Sequence, residues 1–231
     1  MTDAATSDDD LRPHDALVHR RLHSPLERLA DATVHVAGIA AGLIGAAVLV
    51  ALAFTRGDAG ELAAVSIYGL GLVAMLGASA AYNMLYYTRF RAVLRRMDHS
   101  AIFLMIAGTY TPLTTQVVTG LLALLSTAAI WATAAAGVVV KFASPRLFER
   151  IGVGVYLVLG WIGIGALAPF VLHLPAEALW ALLAGGILYS AGVVFHIWET
   201  LPGQNAIWHG FVLAGASCHW VAILQGVVLK G

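Results

Sequence analysis

Apolar residues in this chain fall into seven blocks of about twenty or more, approximately 30–54, 61–87, 98–118, 120–141, 152–172, 175–198 and 205–228. Charges, proline or glycine separate one block from the next. That length matches a hydrocarbon core of about 30 Å crossed by helix. A backbone in lipid must satisfy its own hydrogen bonds, so each block is expected to be helical. Pro112 should kink the third block, whereas Pro175 sits in the first turn of the sixth, where proline is tolerated. Small residues such as Gly38 and Gly42, four apart, suit close helix packing. The expectation is an all-α polytopic membrane protein with seven transmembrane helices.

Composition agrees with the pattern. Of 231 residues, 60% are hydrophobic and only 11% charged, and the mean hydropathy is +0.83; soluble domains carry roughly 25% charge. The opening residues 1–26 lack the apolar stretch of a secretory signal. They read as an acidic tail followed, over 11–23, by a segment that allows a short surface helix. Cys218 is the only cysteine, which excludes an intramolecular disulfide.

The formal net charge is zero, but its distribution is lopsided. Arg12, Arg20, Arg21, Arg28, Arg89, Arg91, Arg95, Arg96, Lys141, Arg146 and Arg150 fall on the N-terminal side of the seven-span arrangement. Only Arg56 and Lys230 fall on the other. The positive-inside rule then places the N-terminus in the cytoplasm and the C-terminus outside. Topology and anionic lipid headgroups account for these basic loops without a nucleic-acid partner.

This orientation assigns a depth to each polar residue in the spans. Glu27, Asp31 and His35 lie at the start of span one, Ser79 and Asn83 at the end of span two, and Asp98 and His99 at the start of span three. His196 closes span six, and Asn205 and His209 open span seven. All share a layer within about 10–15 Å of the cytoplasmic surface, with nothing comparable expected in the outer half. Asp31/His35, Ser79/Asn83 and Asn205/His209 are each spaced i, i+4, on one helix face. A single buried His or Asn is usually a helix–helix hydrogen bond. Five helices converging at one depth favour a pocket, although Glu27 and His196 are near enough to water to snorkel. His219, about 15 Å further along span seven, is expected to be a neutral packed histidine, and His173, in an outer loop, to be solvated.

The string DHSAIFLMIAGTYTP (Asp98–Pro112), with SAAYN before it and NAIWHGFVLAG after it, resembles bacterial hemolysin III family proteins. That family belongs to the progestin and adipoQ receptor group and is similar to alkaline ceramidases; the resemblance covers Glu27 to Gly226. It implies seven helices, a cytoplasmic N-terminus and a zinc ion near the cytoplasmic face. Its three zinc-binding histidines come from S-x3-H in the second helix and H-x3-H in the seventh, with an aspartate of the third helix orienting water. Carried over, the serine is Ser79, the aspartate Asp98 and the last histidine His209. The other two ligand positions are occupied by Asn83 and Asn205. The first-helix motif also drifts, to Glu27, Asp31 and His35.

Amide oxygens are weak zinc ligands, so three alternatives stand. The set of amides, carboxylate and water can hold another divalent cation. Asp31, His35 or His99 can rebuild a zinc site. Or Asn83, Asn205 and His209 can close into a metal-free network. The resemblance implies a multi-pass cell-membrane protein whose partners are membrane lipids. Its function would be lipid sensing or homeostasis, or metal-dependent hydrolysis of a lipid amide or ester with Asp98 as base and Ser79 supporting the oxyanion. A pore is disfavoured, because no charged stripe crosses the bilayer.

Overall fold

A computed structural model of the chain describes residues 24–85, 87–166 and 174–230. The expected tail and surface segment, up to residue 23, and His173 lie outside the described residues. The described residues form seven α-helices: α1 Pro25–Arg56, α2 Ala59–Met84, α3 Arg91–Gln116, α4 Gly120–Ala143, α5 Pro145–Ala166, α6 Ala176–Ile197 and α7 Gln204–Ile223. A π-helical turn, Leu224–Val228, continues α7.

Local chemistry explains several of the ends. Ser24 accepts from the Glu27 amide while the Glu27 carboxylate accepts from the Ser24 amide, a capping box with Pro25 in the first turn. This starts α1 at Pro25 rather than at residue 30. Asp58 caps α2 through the Glu61 amide at 2.8 Å. Gly203 precedes α7 with φ +70°, a left-handed conformation that a side chain would strain. Pro175 stands just before α6, at its N-cap, rather than within its first turn.

α1, α2, α4, α6 and α7 are long and apolar enough to cross a membrane. Their outward faces carry large apolar groups in the open, such as Phe54 (75% exposed), Leu70 (72%) and Trp180 (69%). Patches of that kind belong against lipid. α3 is more polar but is the most enclosed helix. Thr109, Thr111, Thr114 and Thr115 direct their hydroxyls to carbonyls one turn back, so they bring no unsatisfied donor into the core. α5 has a shorter apolar run, Ile151–Ile162.

Small residues set the helix spacing. Gly38 and Gly42 of α1 are buried against Leu213, Leu72 and Leu76, in keeping with a packing role. A Cβ on Gly71 would sit 3.2 Å from the Leu104 carbonyl oxygen of α3. Phe103 fills the space opposite Gly137 and joins Phe148 and Tyr156, with ring centroids 5.9 and 4.8 Å away.

Gly71→Val should therefore lower thermal stability in detergent by about 1–3 kcal/mol, the usual cost of overpacking. Gly77→Ala, whose Cβ would meet nothing within 4 Å, should be neutral or stabilising by up to about 1 kcal/mol. Equal melting temperatures for both variants would remove close α2–α3 contact as the reason for the glycine.

Candidate metal centre and cavity

At the end of the bundle where α1, α3 and α7 begin and α2 and α6 finish, a cavity of about 880 Å³ runs into the protein. Glu27, Asp31, His35, Ser79, Asn83, Asp98, His99, Asn205 and His209 all line it. Helical spacing puts Asp31 and His35 on one face of α1, and that face meets His209 of α7. Asp31 Oδ1 lies 2.6 Å from His209 Nδ1, and Asp31 Oδ2 lies 3.5 Å from His35 Nε2. The two imidazole centroids are 4.3 Å apart. One ligand atom from each of the three residues falls within 4.8 Å of the others.

Two imidazoles and a carboxylate are donors that zinc favours. Tetrahedral zinc holds its ligand atoms about 3.3 Å apart, and one atom from each of the three residues already lies within 4.8 Å of the others. His35 Nε2 is moreover buried with no partner closer than Asp31 Oδ2 at 3.5 Å, so a bound cation would give it a stronger one. The donor set fits a metal by chemistry and by spacing.

The positions that the family resemblance pointed to behave differently. Asn83 donates its amide to the Ser79 carbonyl at 2.9 Å, one turn back along α2. Asn205 lines the cavity beside α7's first turn. Asp98 is within hydrogen-bonding reach of Ser79 and close enough to His209, His35 and Lys141 to interact electrostatically. Of the three residues expected to be able to rebuild a site, Asp31 and His35 join His209 and His99 does not. The His99 ring packs toward Phe148 with centroids 6.0 Å apart, and its carbonyl accepts from the Tyr156 hydroxyl at 2.6 Å.

Glu27 is more than a snorkelling side chain. Its Oε2 closes the α1 cap, and its Oε1 accepts from the Gly203 amide at 2.9 Å, tying α1 to the turn before α7. His196 packs on Trp208 and its carbonyl accepts from the Gln204 side chain. Lys141 is a residue that sequence reasoning missed. Counted above only as a topology charge, it is 1% exposed, with its ammonium 4.7 Å from the centre of the Phe148 ring. Nothing in its local sequence distinguishes it from a loop lysine.

Helices packed around a deep cavity with an acid–histidine cluster at its mouth define a polytopic helical membrane protein with a candidate metal centre. The family model described as haemolysin-III related matches residues 26–220, and the chain belongs to that family. It is 32% identical over 198 residues to the hemolysin-3 homolog of Bacillus subtilis, covering 86% of this chain and 93% of that protein. Against hemolysin-3 of Bacillus cereus the identity is 34%, covering 86% and 90%. The monocyte to macrophage differentiation factor of Homo sapiens is 29% identical over 205 residues, covering 85% of this chain and 83% of its own.

Glu27→Ala removes both the capping box and the link to Gly203. It should destabilise the folded protein by about 1–2 kcal/mol, read as a lower melting temperature. Glu27→Gln keeps one accepting oxygen and so can serve only one of the two amides; it should recover about half of the loss. No recovery by glutamine would mean that the carboxylate's charge, rather than its hydrogen bonds, does the holding.

Proposed function

We propose that this membrane protein binds zinc through Asp31, His35 and His209 and hydrolyses a lipid amide or ester held in the cavity. The observation that carries the reading is the meeting of these three side chains at the mouth of a deep, largely apolar cavity. In the seven-span arrangement drawn from the arginine and lysine distribution, that mouth faces the cytoplasm. Its depth suits a substrate whose chain stays in the bilayer while its polar head reaches the cluster.

What zinc supplies, when bound, is Lewis acidity towards a carbonyl oxygen and a water acidified towards neutrality. The chain's own residues do the rest. Asp98 accepts a proton from the attacking water and returns it to the leaving amine or alcohol. Ser79 has one hydroxyl proton. While it is directed at Asp98 it holds that carboxylate in place; turned to the substrate it hydrogen-bonds the developing oxyanion. Asn83, bound to the Ser79 carbonyl, braces the same turn. The apolar walls exclude bulk water from the reacting carbonyl.

A second reading, lipid sensing or homeostasis without turnover, is favoured by one observation. Asp31 and His209 already satisfy each other at 2.6 Å, and amides occupy two family ligand positions, so the site can close without metal.

Elemental mass spectrometry of detergent-purified protein separates the two. The hydrolase reading expects about one zinc per chain, with affinity lowered about 100-fold or more in His35→Ala and in His209→Ala, more than loss of a residue that only supports a ligand would cost. Asn83→Ala should keep its zinc. Turnover of a fluorogenic lipid amide or ester should then vanish with chelator and with Asp98→Asn. Protein that carries no zinc even after zinc incubation, yet is stabilised by added lipid, would leave the sensor in its place.

A further inference from the structure

Well inside the bundle, beyond the acid–histidine layer, lies a second set of polar groups that this chemistry does not use. His219 of α7 and Tyr189 of α6 both line the inner end of the cavity. Their ring centroids are 5.4 Å apart. Tyr68 of α2 is fully buried and lies near enough to Tyr189 for the two to interact electrostatically. The Tyr68 and Tyr189 hydroxyls and His219 Nε2 are all buried without a hydrogen-bond partner. Native proteins seldom leave one such group orphaned, let alone three together.

The arrangement is built into two facing helices. A Cβ on Gly185 would lie 2.3 Å from His219 Cδ2 and 3.1 Å from the Gly215 carbonyl oxygen. On Gly215 it would lie 3.0 Å from the Tyr189 ring and 3.2 Å from the Gly185 carbonyl oxygen. Each helix thus gives up a side chain to seat the polar ring of the other. The hydrogen bond between His219 and the Leu182 backbone uses the other ring nitrogen, Nδ1, as donor. That leaves Nε2 as a bare acceptor. Beside it packs the ring of Tyr189, which carries an O–H donor.

An acceptor and a donor set side by side are complementary to a hydroxyl, which gives one hydrogen bond and accepts others. We propose that the inner end of the cavity is a recognition site for a hydroxyl carried on the apolar body of an elongated lipid. The proposal rests on the reading of the cavity as a lipid site and narrows the lipid it takes. His219 is ten residues beyond His209 on one helix, a separation of about 15 Å, or roughly a dozen carbons of extended chain. The ligand is therefore an amphiphile with its head at Asp31, His35 and His209 and a hydroxyl near the twelfth carbon.

The test is displacement of a fluorescent fatty-acid probe from the purified, zinc-supplemented protein. The competitors are 12-hydroxyoctadecanoate, 2-hydroxyoctadecanoate and octadecanoate. The 12-hydroxy acid is expected to bind about tenfold more tightly than the other two, the worth of one or two well-placed hydrogen bonds. Tyr189→Phe, which removes only the hydroxyl, should cut that preference to about threefold or less, and His219→Gln offers an independent check. Equal binding of all three acids would overturn the hydroxyl site, leaving lipid binding intact and only water at the inner end. A preference that survives both substitutions would overturn it too. If no acid displaces the probe, the lipid reading fails and this proposal fails with it.

Discussion

A carboxylate cannot stand unpaired inside a bundle surrounded by lipid, and the contact between Asp31 and His209 answers that constraint. It also joins the first helix to the last, closing the bundle at one end. Breaking one side of such a pair leaves an uncompensated buried charge, which costs more than the pair itself contributes. His35, one turn along α1, is drawn into the same contact. Glu27, one turn earlier, reaches the turn before α7. Three successive turns of α1 thus address α7, and the cavity mouth is shaped between them.

Burial of polar groups also explains how the bundle is filled elsewhere. α3 carries too many threonines to face lipid cheaply, but each hydroxyl is spent on its own helix. The helix can then sit at the centre, its Asp98 turned to the cavity. The glycines do the complementary work. At Gly71, Gly185 and Gly215, backbone meets backbone, and at Gly185 and Gly215 the volume released is taken by the His219 and Tyr189 rings of the facing helix. Close helix approach and room for polar side chains come from the same substitution of a hydrogen for a side chain.

Much of this was legible in the chain. Block length predicted helices, and i, i+4 spacing predicted which faces were polar and at what depth. Spacing along one helix does not say which helix lies opposite, so the partner of Asp31 was open until α1 and α7 were brought together. Asp31 and His35 were recognised as pocket residues able to rebuild a site. What gives them the part is charge, since an aspartate attracts an imidazole more strongly than an amide does. Two features were not legible. Lys141 reads as a loop cation because burial depends on α5 folding Phe148 beneath it. Tyr68 and Tyr189 count as apolar in a hydropathy pattern, so the inner layer looked empty of chemistry. Tyrosine is half of each kind, and only its neighbours decide which half matters.

The make-up of the cluster at the mouth has a chemical consequence beyond geometry. Three neutral imidazoles leave the full double charge of a zinc ion to act on a carbonyl or a water. Replacing them by two imidazoles and a carboxylate lowers the net charge of the centre by one. The same change strengthens electrostatic attraction for the cation. A centre built on Asp31 would therefore be a tighter holder and a weaker electrophile than one built on three histidines. Asp98 and Lys141 then matter more to any reaction. Asp98 would supply basicity that a less acidified water requires, and the ammonium of Lys141, close enough to Asp98 to interact with it, would offset the charge of two carboxylates in one site. Asn83 and Asn205 fit the same logic, because neutral amides beside the cluster add neither charge nor a competing strong donor for a metal.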